Sequence, residues 1–177
     1  MSPIGSRLRD LFWRFRRRAS SQRTAPAGLV APWLYVGPAL DRAGYAALAA
    51  HGVTHVVDLR EEDSDDVEVM QALGLAWRRF PTLDRTPPAH ADLDAVIEWT
   101  EAAAARGDDV IDGVVYVHCS AGVSRSPTFA MALLMRRGLT LAEAHRRVTS
   151  ARPAAAPNAE QLAWLAEVER RAALRHS

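Results

Sequence analysis

The chain has 177 residues, 49% of them hydrophobic and 24% charged, which suits one domain with a substantial core and excludes wholesale disorder, collagen-like repeats and low-complexity architecture. Its single cysteine, Cys119, excludes an internal disulfide, a paired-cysteine redox motif and thiolate-rich zinc sites, and no apolar run is long enough for a membrane-spanning helix. The net charge of +1 hides an asymmetry: all 22 basic residues are arginine, and seven of them fall within residues 1–23 against Asp10 alone, so the remainder is mildly acidic and argues against a nucleic-acid-binding domain.

In the tail, Leu8, Leu11, Phe12 and Phe15 recur at i, i+3, i+4 and i+7, with arginines on the other faces. Residues 7–18 are therefore expected to form a basic amphipathic helix, which would lie on an anionic membrane surface or dock on the protein's own body. Ser20–Gly28, which contains Pro26, reads as a linker, so residues 1–28 are expected as a tail and residues 29–175 as the folded domain. No apolar segment follows Arg17 and Arg18, which argues against a secretory signal and for a cytoplasmic protein, membrane-peripheral if the tail meets lipid. An arginine-rich mitochondrial presequence is the alternative reading of the same residues.

From Trp33 onward, short β runs alternate with helical patterns, the signature of an α/β fold with a helix-flanked, mostly parallel, twisted sheet of four or five strands. The expected strands are Trp33–Val36, Val53–Leu59, Leu75–Phe80 and Val114–His118. Asp41 should cap a helix reaching Ala50, and Ser64 one that stops at Gly74 with Val67 and Met70 inward. Leu93, Val96, Ile97 and Thr100 mark the inner face of a helix between Asp92, its expected N-cap, and Gly107. The apolar run Thr128–Arg137 predicts a buried central helix, and Thr140 with Glu143 predicts a capping box for the next one. Asn158 opens the last helix, with Leu162, Leu165 and Val168 facing the core.

The chemistry concentrates in one segment. A buried strand ends at His118–Cys119, a tight loop follows through Ser120, Ala121, Gly122, Val123 and Ser124, and a helix begins around Arg125, Ser126 and Pro127. Unpaired amides and the positive end of the helix dipole would face the loop interior, where they bind an anion and favour the thiolate form of a cysteine placed there. Gly122 lets the loop curl, and the planar fork of Arg125 can take two phosphate oxygens. A lone cysteine is more often a small buried hydrophobe, but His-Cys-x-x-Gly-x-x-Arg-Ser after a β run is too specific a pattern for that reading.

This segment resembles the dual-specificity phosphatases of the cysteine-based protein tyrosine phosphatase superfamily at every defining position of their signature. The resemblance extends through Trp33–Gly37, Val53–Leu59 and the segment from Arg152-Pro153 to Asn158 and Gln161, over about residues 29–170. It implies a phosphotyrosine-phosphatase-like α/β fold, a small catalytic-domain-only member, and a phosphoprotein as substrate, hydrolysed without metal or cofactor. It assigns Cys119 as nucleophile, Arg125 as phosphate clamp, residues Ser120–Arg125 as the phosphate cradle, Ser126 as the hydroxyl that stabilises the departing sulfur, and His118 as an orienting residue. For Ser126 a helix-capping role, and for His118 plain packing, explain the residue type nearly as well.

A leaving oxygen needs a proton, and Asp84, in the proline-flanked loop Phe80–Pro88 where the family places its general acid, is the candidate, with Asp92 and Asp94 as rivals. The loop interior Ser120, Ala121 and Val123 lacks the extra basic residues of relatives that act on inositol phospholipids. Arg78, Arg79 and Arg85 would read acidic groups near the phosphate, or are solvated surface charges. Phosphotyrosine against phosphoserine or phosphothreonine, and the oligomeric state, are left open at this level.

Overall fold

The computed structural model describes residues 27–104 and 113–174. The run Val114–Cys119 combines β-branched and aromatic residues with almost no exposed position, a pattern that suits a strand covered on both faces. It forms β5, the centre of a five-stranded sheet, with β1 (Gly28–Ala31), β2 (Leu34–Pro38), β3 (Val53–Arg60) and β4 (Ala76–Thr82) in the order β1-β2-β5-β3-β4. β1 runs antiparallel to β2; every other neighbouring pair is parallel. Among the described residues the helices are α1 (Arg42–Ala50), α2 (Val67–Ala72), α3 (His90–Ala104), α4 (Arg125–Arg136), α5 (Leu141–Ala151) and α6 (Ala159–Leu174).

Alternation along β5 sends successive side chains to opposite faces. Val115, Val117 and Cys119 join the core formed with Phe129 and Leu134 of α4, Leu93 and Val96 of α3, and Leu165 of α6. Tyr116 points the other way, towards Tyr45 and Leu48 of α1 and Met70 of α2. His118 stacks on Tyr116 with ring centroids 5.5 Å apart, so His118 and Cys119 stand on opposite faces of the sheet. Each large side chain fully buried in this way contributes about 1.5–3 kcal/mol.

Several expected caps form. The Asp41 carboxylate accepts from the Gly44 amide at 2.8 Å, and Thr140 and Glu143 complete the reciprocal box that opens α5. Other details differ. The edge strand β1 is not legible in the sequence, since four residues carry no period, and it places Gly28 in the sheet rather than in the linker. Asp66, not Ser64, caps α2: Asp65 is tied through its amide to Asp58 Oδ2 (3.1 Å), so the helix can begin only beyond it. Val67 is consequently 46% exposed while Met70 is buried.

Helix α3 starts at His90, one residue beyond Pro87-Pro88, with the Ala89 carbonyl accepting from the amides of Asp92 and Leu93, which puts Asp92 inside its first turn rather than at the cap. The inner face of α6 runs through Gln161, Leu165 and Val168, an i, i+4, i+7 stripe that leaves Leu162 exposed. The expected tail helix over residues 7–18 lies outside the described residues. Among the described residues, no helix is long and apolar enough to cross a membrane.

Candidate active site

Parallel sheets bind ligands at the carboxyl ends of their strands, and that edge is where Cys119, the last residue of β5, emerges. The loop from Ser120 to Ser124 then turns into α4. Its curl depends on Gly122, at φ +67°, where a Cβ would sit 2.6 Å from the Gly37 carbonyl oxygen and 2.7 Å from Arg152 Nη2.

The direction of the peptide units decides what this loop can bind. The carbonyls of Ser120 and Val123 accept from the Ala39 amide (3.2 Å) and the Ala156 amide (2.7 Å). Those of Ala121 and Gly122 both accept from Arg152, through Nη2 at 2.7 Å and through Nε, and the Ser124 carbonyl accepts from the Thr128 amide at 3.1 Å. Five successive carbonyls are therefore held on the outside of the turn. A trans peptide points its N–H opposite to its C=O, so the N–H groups that follow them point inward. Ser124, the N-cap of α4, makes no side-chain cap bond, which leaves the first amides of the helix available to an anion as well.

Arg152 is itself buried. Burial pulls its pKa below the ordinary arginine value, opposed by Tyr116 and Cys119, and two carbonyl oxygens receive its guanidinium.

Cys119 is 3% exposed at the floor of a cavity of about 770 Å³ lined by Glu62, Leu83, Asp84, Ser120, Val123 and Arg125 among others. Its Sγ lies 3.4 Å from Ser126 Oγ, which also donates to the Gly37 carbonyl at 3.1 Å. A serine hydroxyl has one hydrogen, so it serves either the carbonyl or a negatively charged sulfur. Ser126 lies in the first turn of α4 and makes no cap bond, which sets aside its helix-capping reading.

Arg125 is 2% exposed, and its five N–H groups can be followed individually. Nη1 donates to Glu62 Oε2 (2.7 Å) and the Thr82 carbonyl (3.0 Å), and Nη2 to Glu62 Oε1 (2.7 Å) and Ser120 Oγ (3.3 Å). Nε has no aligned partner, although Asp84 Oδ1 stands 3.3 Å away. The bonds to Glu62 are the largest influence raising the Arg125 pKa, and the same bonds hold the Glu62 carboxyl well below the usual range. A phosphate oxygen would thus meet the unengaged Nε–H, and a second would share Nη2.

Asp84 borders the same cavity from the loop after β4. The rival acids do not. Asp94 pairs with Arg136, and Asp92, its pKa raised by burial, stands in the first turn of α3 away from the cavity lining. Arg79 donates to the Arg60 carbonyl (2.9 Å) and the Glu61 carbonyl (2.6 Å), and Arg78 lies over the Trp99 ring at 4.8 Å; both are engaged within the fold, while Arg85 lines the cavity.

Behind the loop, His118 is fixed by a buried polar network. Its Nε2 lies 2.7 Å from Asp65 Oδ2 and 3.2 Å from Tyr45 Oη, and its Nδ1 is 3.9 Å from Asp58 Oδ1. Arg60 bonds Asp58 through Nε (3.0 Å) and Nη2 (2.9 Å), and Nη2 also reaches Asp65 (2.7 Å). Burial works against the Arg60 charge, but Asp58, Asp65 and Asp63 outweigh it and hold its pKa above the ordinary value. Asp58, Asp65 and His118 bring ligand atoms within 4.8 Å of one another, as a cation site would, but the Arg60 guanidinium already supplies the positive charge there.

Sequence reasoning did not single out Glu62, Asp58, Arg60 or Asp65. The available signal was the acidic run Glu61-Glu62-Asp63 at the carboxyl end of a strand in a parallel sheet, where ligands gather.

The pattern of the dual specificity phosphatase catalytic domain matches residues 34–171. The chain belongs to the dual specificity phosphatase family. It is 40% identical over 148 residues to human dual specificity phosphatase 28, covering 81% of this chain and 77% of that protein. To dual specificity protein phosphatase 1 of Arabidopsis thaliana it is 31% identical over 147 residues, covering 80% and 68%. The crystal structure of human DUSP28 aligns with a TM-score of 0.69 at 34% identity, over 86% of this chain and 98% of that one. As a member of the family, the chain is a hydrolase with dual-specificity protein phosphatase activity.

Proposed function

We infer that the chain cleaves phosphomonoesters on phosphoprotein by two displacements through a phosphocysteine at Cys119. The observation that carries this reading is the grouping of Cys119, Arg125 and Asp84 around one cavity whose floor is ringed by inward-pointing amides. In the first step the Cys119 thiolate attacks phosphorus, the bond to the leaving oxygen breaks, and Asp84 gives that oxygen a proton. In the second, the Asp84 carboxylate takes a proton from water as the water oxygen attacks phosphorus. The sulfur–phosphorus bond breaks, and the Ser126 hydroxyl turns from the Gly37 carbonyl to the departing sulfur.

The loop amides and Arg125 stabilise the equatorial oxygens in both transition states. Glu62 and the Thr82 carbonyl orient the guanidinium, and the Asp58–Arg60–Asp65–His118 network orients the residue preceding the nucleophile.

Cys119→Ser is expected to abolish turnover of an aryl phosphate while the substrate still binds; near-normal turnover would end the proposal. Asp84→Asn is expected to slow an alkyl phosphate by roughly 10²- to 10⁴-fold. Assays on phosphotyrosine, phosphoserine and phosphothreonine peptides beside a phosphoinositide panel, with Cys119→Ser as control, test the substrate class.

The domain begins beyond a basic tail, and the lone thiol suits a reducing compartment such as the cytoplasm. The charge pattern of residues 7–18 supports peripheral contact with an anionic membrane. Co-sedimentation with phosphatidylserine vesicles that vanishes in high salt supports this contact, and no binding at low salt refutes it.

A further inference from the structure

The proton donor proposed above sits on a backbone that its own sequence does not favour. Leu83–Thr86 forms a tight turn, closed by the Thr86 amide (3.2 Å) and Thr86 Oγ1 (2.9 Å) on the Leu83 carbonyl. Arg85, the residue after Asp84, has φ +65°, a conformation for which turns normally use glycine or asparagine. Asp84 is itself well exposed, and its neighbour Leu83 also faces solvent. Something outside the turn must select this geometry.

Two side chains from the start of α6 make that selection. Asn158 Nδ2 donates to the Arg85 carbonyl at 2.6 Å, and Gln161 Nε2 donates to the Thr86 carbonyl at 3.0 Å. The second hydrogen of Gln161 Nε2 goes to Ser124 Oγ, at 3.2 Å, in the phosphate loop. The remaining polar groups of the pair serve each other: the Gln161 amide donates to Asn158 Oδ1 at 2.9 Å, and the Asn158 amide to Gln161 Oε1 at 3.0 Å. Gln161 has no exposed surface and its bonds are partly buried, so losing a partner leaves a buried amide group short of one. The same contacts draw Ser124 Oγ away from the amides of α4, where an N-cap serine would ordinarily bond.

We propose that Asn158 and Gln161 are positioning residues that lock the Asp84 turn to the phosphate loop, so that the proton donor is held opposite the sulfur before substrate arrives. The proposal rests on reading Asp84 as the general acid. It also explains the residue types. Aspartate, serine or threonine would cap α6 as well as Asn158 does, and glutamate would complete the reciprocal box as well as Gln161. Only the amides have N–H groups left over for a second loop.

Asn158→Asp separates the two roles. It keeps the acceptor that caps α6, removes the donor, and sets a carboxylate oxygen against the Arg85 carbonyl. The measurement is the ratio of kcat/KM for phenyl phosphate, whose leaving group needs a proton, to kcat/KM for dinitrophenyl phosphate, whose leaving group does not. Both rates come from one preparation, so the ratio is independent of how much of the protein is folded.

Asp84→Asn is expected to collapse the ratio, and Asn158→Asp and Gln161→Met to lower it by about 10- to 100-fold, with loss of the alkaline limb of the pH profile. If Asp84→Asn collapses the ratio while Asn158→Asp and Gln161→Met leave it within about twofold, a limit well inside tenfold (1.36 kcal/mol), the lock is refuted and the acid assignment stands. If Asp84→Asn itself leaves the ratio unchanged, the acid assignment fails and the lock with it.

Discussion

Replacing Asp65 with asparagine preserves the shape of a buried side chain and removes its charge. The carboxylate is 3% exposed and accepts four hydrogen bonds, Tyr45 Oη and Arg60 Nη2 on Oδ1 at 2.7 Å each, His118 Nε2 on Oδ2 at 2.7 Å and Trp77 Nε1 on Oδ2 at 3.1 Å. An amide has one acceptor oxygen and one donor nitrogen, so either the Tyr45–Arg60 pair or the His118–Trp77 pair would face another donor. Each buried donor left without an acceptor costs about 1–3 kcal/mol. Arg60 also loses part of its counter-charge, which puts the sum near the ~3–5 kcal/mol typical of removing one side of a buried ion pair. For a chain of this size each kcal/mol lowers the melting temperature by about 2–4 °C, so the expected fall is about 6–20 °C.

The pH dependence follows from the direction of the Asp65 shift. Burial pushes its pKa up, but His118, Tyr45 and Arg60 outweigh that and leave it below the ordinary value. A depressed carboxyl contributes stability in full above the unfolded pKa of about 3.9 and loses it as pH falls through the folded pKa. Thermal melts of wild type and Asp65→Asn should therefore run parallel from about pH 7 down to pH 5 and converge only in acid. A shift under about 2 °C at neutral pH, less than 1 kcal/mol on this scale, refutes the reasoning, as does a gap that closes between pH 7 and pH 5.

Ser126→Ala removes the hydrogen bond expected to stabilise the sulfur as it leaves, worth about 1.5–3 kcal/mol to a charged acceptor. Phosphoenzyme breakdown should slow by roughly 10- to 100-fold and expose a burst of released alcohol in rapid-mixing assays; an unchanged profile with no burst contradicts that role. Gly122→Ala would set a methyl group 2.6 Å from the Gly37 carbonyl oxygen, closer than van der Waals contact allows, and force the phosphate loop to shift. Activity should fall by about 10²-fold or more, and inhibition by orthovanadate should weaken in parallel; a fully active variant would show that the cradle tolerates a looser path.

By itself, the sequence determined the strand–loop–helix unit and the chemistry it could carry. Local rules were enough for this: an unbroken β run into His118-Cys119, a glycine where the loop must curl, Arg125 at the helix start, and caps at Asp41 and Thr140 that depend only on neighbouring residues. Asp84 was legible as the preferred acid because prolines mark its loop and the family resemblance places a general acid there; the tertiary structure adds that Asp84 borders the cavity while Asp92 and Asp94 do not line it.

Only the tertiary structure brought Glu62 to Arg125, Arg152 to the carbonyls of Ala121 and Gly122, and Gln161 to Ser124, across sequence separations of 63, 31, 30 and 37 residues. A charged or amide side chain has many partners available within a chain, and its local neighbours do not say which one burial will enforce. The fold chooses, because a buried donor without an acceptor costs more than most local preferences contribute.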